Sequence, residues 1–78
     1  MPVVVRFGRF KFVIYPKDHR PAHVHVVSPS AEAKFDLATG QCLASWGYSQ
    51  RTIGQLQSLV DSNRDLLKEA WEEYEGQE

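Results

Sequence analysis

Ala31-Glu32-Ala33-Lys34-Phe35-Asp36-Leu37 alternates apolar and charged side chains without a break. Successive side chains of a strand point to opposite faces, so Ala31, Ala33, Phe35 and Leu37 share one face and Glu32, Lys34 and Asp36 the other. This period of two predicts a strand with one face in a core and one toward water. Downstream, Ala38-Thr39-Gly40 reads as a hairpin loop in which Gly40 supplies a positive φ, and Gln41 to Ser45 returns as the next strand. Upstream, Ser28-Pro29-Ser30 is a turn. Before it, Val24 and Val26 share one face while His23, His25 and Val27 share the other. Pro16 to Ala22 is a loop, because its prolines cannot donate to a central ladder. Val3 to Phe7 and Phe10 to Tyr15 read as two strands, or as one strand bent at a bulge around Gly8. The first 46 residues are therefore an antiparallel meander of four or five strands.

After Trp46-Gly47-Tyr48 the apolar period changes to that of a helix. Ser49 is placed to cap its start. Ile53, Leu56, Leu59, Val60, Leu66, Leu67, Ala70, Trp71 and Tyr74 form one apolar stripe, with Gly76 as a C-terminal cap residue. Asn63 interrupts that stripe, and Ser62 with Asp65 resembles a capping box, so the helical part, residues 49–75, is either continuous or broken near residue 62. A sheet with one apolar face and a helix with one apolar stripe must cover each other, which predicts an α+β domain. Open sheet edges also invite a second chain.

With 78 residues, 42% of them hydrophobic and 24% charged, the chain reads as one small globular domain, 1–78. Its core is thin, which favours support from a partner. A formal charge of -1 offers no global argument for nucleic-acid binding. That balance conceals an asymmetry: residues 1–30 hold five bases and one acid, residues 65–78 six acids and one base. No apolar run is long enough for a membrane span, and no signal peptide is evident. The single cysteine, Cys42, cannot form an internal disulfide, so a cytoplasmic location is expected.

All three histidines fall within Asp18-His19-Arg20-Pro21-Ala22-His23-Val24-His25. His23 and His25 project to one face of a strand and can reach one metal ion or flank one anion. A catalytic zinc takes three protein ligands and an open water position, and His19 or Asp18 is the available third. Alternatively Arg20 and Lys17, with Lys11, hold a phosphate while a histidine moves a proton. The competing reading is a histidine face that only fills the sheet. A match to the histidine-triad nucleotide hydrolases fails, because the third alternating histidine is replaced by Pro21 or Val27. Trp46 and Tyr48 are either core or an interface anchor. Cys42 has no histidine near it in sequence and reads as a small packing residue.

Met1-Pro2-x-Val4-x-Arg6-Phe7, Asp18-His19-x-Pro21-x-His23-x-His25-Val26, Ala33-x-Phe35-Asp36-Leu37-x-Thr39-Gly40 and Leu66-Leu67-x-x-x-Trp71 together resemble the small bacterial domain-of-unknown-function family 4160. Ala22 stands where that pattern has a second proline, which leaves the polar side chains untouched. The resemblance implies no established activity. It implies a small protein partner encoded by a neighbouring gene, in a toxin-antitoxin-like pair. Three functions stay open. The first is association with that partner; the second is phosphoester hydrolysis of RNA or a nucleotide, with a divalent metal or phosphate held by the histidine loop; the third is a structural module that self-associates.

Overall fold

The computed structural model describes residues 3–15 and 20–75. Five strands form one antiparallel sheet in chain order: β1 (Val3–Phe7), β2 (Phe10–Val13), β3 (His23–Ser28), β4 (Ala31–Asp36) and β5 (Cys42–Trp46). Two helices follow, α1 (Gln50–Ser62) and α2 (Arg64–Glu75). The alternative of a single bent strand at Gly8 is settled in favour of a hairpin, because Phe7 pairs with Phe10 across a two-residue turn in which Gly8 has φ +58°. The fifth strand runs to Trp46, one residue beyond the expected end.

β4 is buried at alternate positions along its whole length, as its sequence predicts. Phe12, Val24, Val26, Ala33 and Phe35 form the inner face with no exposed surface. Ile53, Leu56 and Val60 of α1 and Leu67 and Trp71 of α2 cover it. Fully burying an aliphatic or aromatic side chain contributes roughly 1.5–3 kcal/mol, so these few contacts dominate the stability of so small a chain. Leu66 departs from the expected stripe. It is 47% exposed. The break at Asn63 re-phases the second helix so that Leu67 and Trp71 take the inward positions.

Local polar chemistry sets the boundaries. Asp36 Oδ1 accepts from the amides of Ala38 (2.7 Å) and Thr39 (3.0 Å), closing an Asx turn. Gly40, at φ +80°, then donates its amide to Asp36 O at 2.8 Å. Ser49 caps α1 by accepting from the Thr52 amide at 3.1 Å. The helix break falls near residue 62, but Ser62 is not its cap, because its hydroxyl donates back to Ser58 O at 2.9 Å. Asn63 separates the helices: its side-chain amide donates to Leu59 O (2.8 Å) and its carbonyl accepts from the Leu67 amide (2.9 Å). Gly76 lies outside the described residues. Among the described residues no helix is long and apolar enough to cross a membrane.

The pairing registers also define the outer face, away from the helices. One row across all five strands runs Arg6, Lys11, Val27, Glu32, Trp46; the next runs Val13, His25, Lys34, Ala44.

Candidate functional site

His23 opens β3 and His25 follows two positions on, so both start from the outer face. Their environments differ. His23 is 5% exposed, and its Nδ1 lies 2.8 Å from the Pro21 carbonyl. A carbonyl only accepts, so Nδ1 is the donor in this contact. His25 Nδ1 lies 3.0 Å from Glu32 Oε2, one strand away. A carboxylate on one ring nitrogen fixes the orientation of the other, the arrangement found behind metal-binding and acid-base histidines.

The two imidazoles sit within a continuous line of four rings. Tyr15 meets His25 edge-on at 4.7 Å between centroids, His25 meets His23 at 5.1 Å, and His23 meets Trp71 at 5.1 Å. The line joins the end of β2 to α2 through the start of β3, so the histidines are held from both sides by aromatic rings. Beside it, Arg20, Ala22, Lys68, Trp71 and Glu72 line a hollow of about 230 Å³.

Lys17, Asp18 and His19 lie outside the described residues. Among the described residues, no three His, Cys, Asp or Glu side chains group so as to hold a metal ion, and a third ligand for the His23 and His25 pair would have to come from Asp18 or His19. Arg20 is exposed and lines the hollow. Lys11 is not its neighbour. It pairs with Val27, four strand positions from His23 or roughly 13 Å along the sheet, so it belongs to the opposite end.

Tyr15, Glu32 and Trp71 complete the site, and the local sequence around the histidines announces none of them. Glu32 is seven residues from His25 and reaches it only because β3 and β4 pair. The charge alternation in β4 is the one signal that puts Glu32 on a polar face; Trp71 reads as core from its helical spacing, and it is core as well as the wall behind His23.

The profile of a family described as Domain of unknown function (DUF4160) matches residues 9–72. The chain belongs to this family. The DUF4160 match takes in β2 to β5, α1 and most of α2, and so contains His23, His25, Glu32 and Trp71. No curated protein and no solved structure matches the chain significantly.

The two other aromatic candidates of this DUF4160 domain separate in the structure. Tyr48 is half-buried, 5.9 Å from the Phe10 ring, with its hydroxyl 3.0 Å from Ser28 Oγ and 3.3 Å from the Val26 carbonyl that accepts from it. It fastens the start of α1 to the sheet. Trp46 is 60% exposed on β5, with Leu43 of the same strand at 46%. Cys42 is half-buried against the core, its thiol 3.5 Å from Ala44 O.

Proposed function

We propose that this domain acts by association with another small protein, as one half of a toxin-antitoxin-like pair, and that β5 is the strand that meets the partner. One observation carries the reading: the last strand of the sheet presents Leu43 and Trp46 to water, and among the described residues its outer edge has no strand beside it. An unprotected edge with large apolar side chains is a template for pairing, and proteins that do not use such an edge cover or charge it. Tryptophan is also the residue type most enriched where interface energy concentrates. The partner contributes an extended segment that adds to the sheet beside β5 and packs on Trp46.

Co-expression with the product of the neighbouring gene tests this. The wild-type chain is expected to co-purify with it, and a Leu43→Lys, Trp46→Lys variant with an intact fold is expected to lose it. Growth should arrest when the chain is expressed without that neighbour. Retention of the complex by the double variant would remove β5 from the interface, and a chain that forms a stable homodimer through β5 would make this a self-associating module.

A second reading rests on the His25–Glu32 pair. Oriented by Glu32, His25 with His23 and a ligand from Asp18 or His19 would bind a divalent metal or a phosphate and support phosphoester hydrolysis of RNA or a nucleotide. Zinc, nickel or manganese titration followed by the ring signals of the three histidines tests it; spectra unchanged at millimolar metal would exclude the metal form.

A further inference from the structure

The end of the sheet away from the histidines carries a second concentration of charge. The β1–β2 turn at Gly8 and Arg9 and the β3–β4 turn at Pro29 and Ser30 lie at this end, and between them is a cavity of about 320 Å³. Arg6, Arg9 and Lys11 line it, with Ser28 beside them and Val27 and Pro29 as apolar wall. A smaller hollow of about 160 Å³, lined by Arg9, Ser28, Pro29 and Ser30 among others, adjoins it. Among the described residues no carboxylate lines either space.

The placement of these cations is electrostatically unfavourable. Arg6 is directly across from Lys11 in the β1–β2 register. Like charges at facing positions of an antiparallel pair repel and destabilise it. Arg9 follows in the turn, its guanidinium 5.4 Å from the Phe10 ring centroid. Among the described residues no Asp or Glu forms an ion pair with any of the three. The nearest carboxylate along the row, Glu32, is two strands from Lys11 and is committed to His25.

We infer that this cavity is a binding site for a phosphate ester of nucleotide size, with Arg6, Arg9 and Lys11 on the phosphate and Val27 and Pro29 against the apolar part of the ligand. Three converging cations with a hydroxyl donor match phosphate oxygens, and arginine presents paired N–H groups to them. The volume lies in the range of small-molecule sites, and the apolar wall gives a ligand more than charge to hold. The phosphate can belong to a free mononucleotide or to a strand of RNA. The site shares no residue with the histidine line or with the β5 surface.

The test is titration of the full-length chain, followed by backbone amide signals, with AMP, ADP, a short single-stranded RNA, inorganic phosphate and a glutamate-rich peptide. A nucleotide or the RNA is expected to shift Gly8, Arg9, Ser28 and Ser30, with affinity falling as salt rises. Saturation by AMP or ADP assigns a free nucleotide; saturation by the RNA alone assigns a strand. An Arg6→Gln, Lys11→Gln variant should bind at least tenfold more weakly while unfolding at the same or a higher denaturant midpoint, because the facing repulsion is gone. Lys34→Gln, a charge change on the same outer face two rows of side chains from Arg9, should leave binding unchanged. The inference is overturned if no phosphate probe shifts these amides at millimolar concentration, if Lys34→Gln weakens binding as much as the double variant, or if the glutamate peptide binds more tightly than every phosphate probe.

Discussion

The imidazole of His23 packs on the indole of Trp71 with ring centroids 5.1 Å apart, which ties the first residue of β3 to a buried residue of α2. The same imidazole is hydrogen-bonded to Pro21 O, so one side chain joins the loop, the sheet and the second helix. Replacing His23 by Ala removes a hydrogen bond worth about 1 kcal/mol together with buried ring contacts, for a total loss of roughly 2–4 kcal/mol. His23→Phe keeps an aromatic ring against Trp71 and loses the hydrogen bond to Pro21 O, so it should cost less, roughly half as much. Urea unfolding of both variants checks the order; equal losses would mean that the packing contributes nothing.

Two glycines should respond to alanine with opposite signs. Gly47 sits at φ +89°, and a Cβ there would come within 2.6 Å of Ser30 O and 2.8 Å of Ala31 Cβ. Both the positive φ and the backbone contact oppose the change, and Gly47→Ala is expected to lose about 2 kcal/mol or more. Gly54 is exposed within α1, and beyond its own helix backbone none of the described residues comes within 4 Å of where a Cβ would stand. Gly54→Ala should therefore gain roughly 0.5–1 kcal/mol from helix propensity. Thermal or denaturant midpoints of the pair provide the comparison.

Ser49 closes the first turn of α1 with its side chain, which accepts from the Thr52 amide. Ser49→Ala should cost about 1 kcal/mol, and Ser49→Asp should preserve stability because its carboxylate accepts the same bond. If both variants lose the same amount, the cap is not the cause.

The sheet was legible because burial here is one-sided. Ala31 to Leu37 buries every second residue, and a period of two has no other reading over that length. The polar Asn63 on an apolar stripe left a continuous and a broken helix both open, and the chemistry of the break was not legible, since Ser62 and Asn63 both offer local hydrogen-bonding groups. Leu66 misled because a helix stripe drawn through a break assumes one phase on both sides. At the candidate site, the clustering of His23 and His25 was plain from spacing, whereas Glu32 arrives from strand pairing and Tyr15 and Trp71 from packing that local spacing does not show. The basic cavity was half visible: the cationic N-terminal part showed in the charge count, but the grouping of Arg6, Arg9 and Lys11 and the distance of Lys11 from Arg20 follow from register alone.

The two tryptophans make the inner and outer surfaces separately measurable. Trp46 is 60% exposed and Trp71 is 5% exposed, so in Trp71→Phe the remaining emission should be red-shifted and readily quenched by iodide, and in Trp46→Phe it should be blue-shifted and resistant. Stability should divide them as well. Trp46→Phe changes a surface residue and should stay within about 0.5 kcal/mol of wild type. Trp71→Ala opens the core beneath His23 and should cost about 3–5 kcal/mol. Trp71→Phe is the informative intermediate. The Trp71 Nε1 is buried with no hydrogen-bond partner among the described residues, and an unmet buried donor costs about 1–3 kcal/mol. Phenylalanine loses ring volume but also removes that unmet donor, so the two effects oppose and the net loss should fall below about 2 kcal/mol. A loss as large as that of Trp71→Ala would show that the indole N–H contributes to the fold through a bond, and would shift attention to what accepts it.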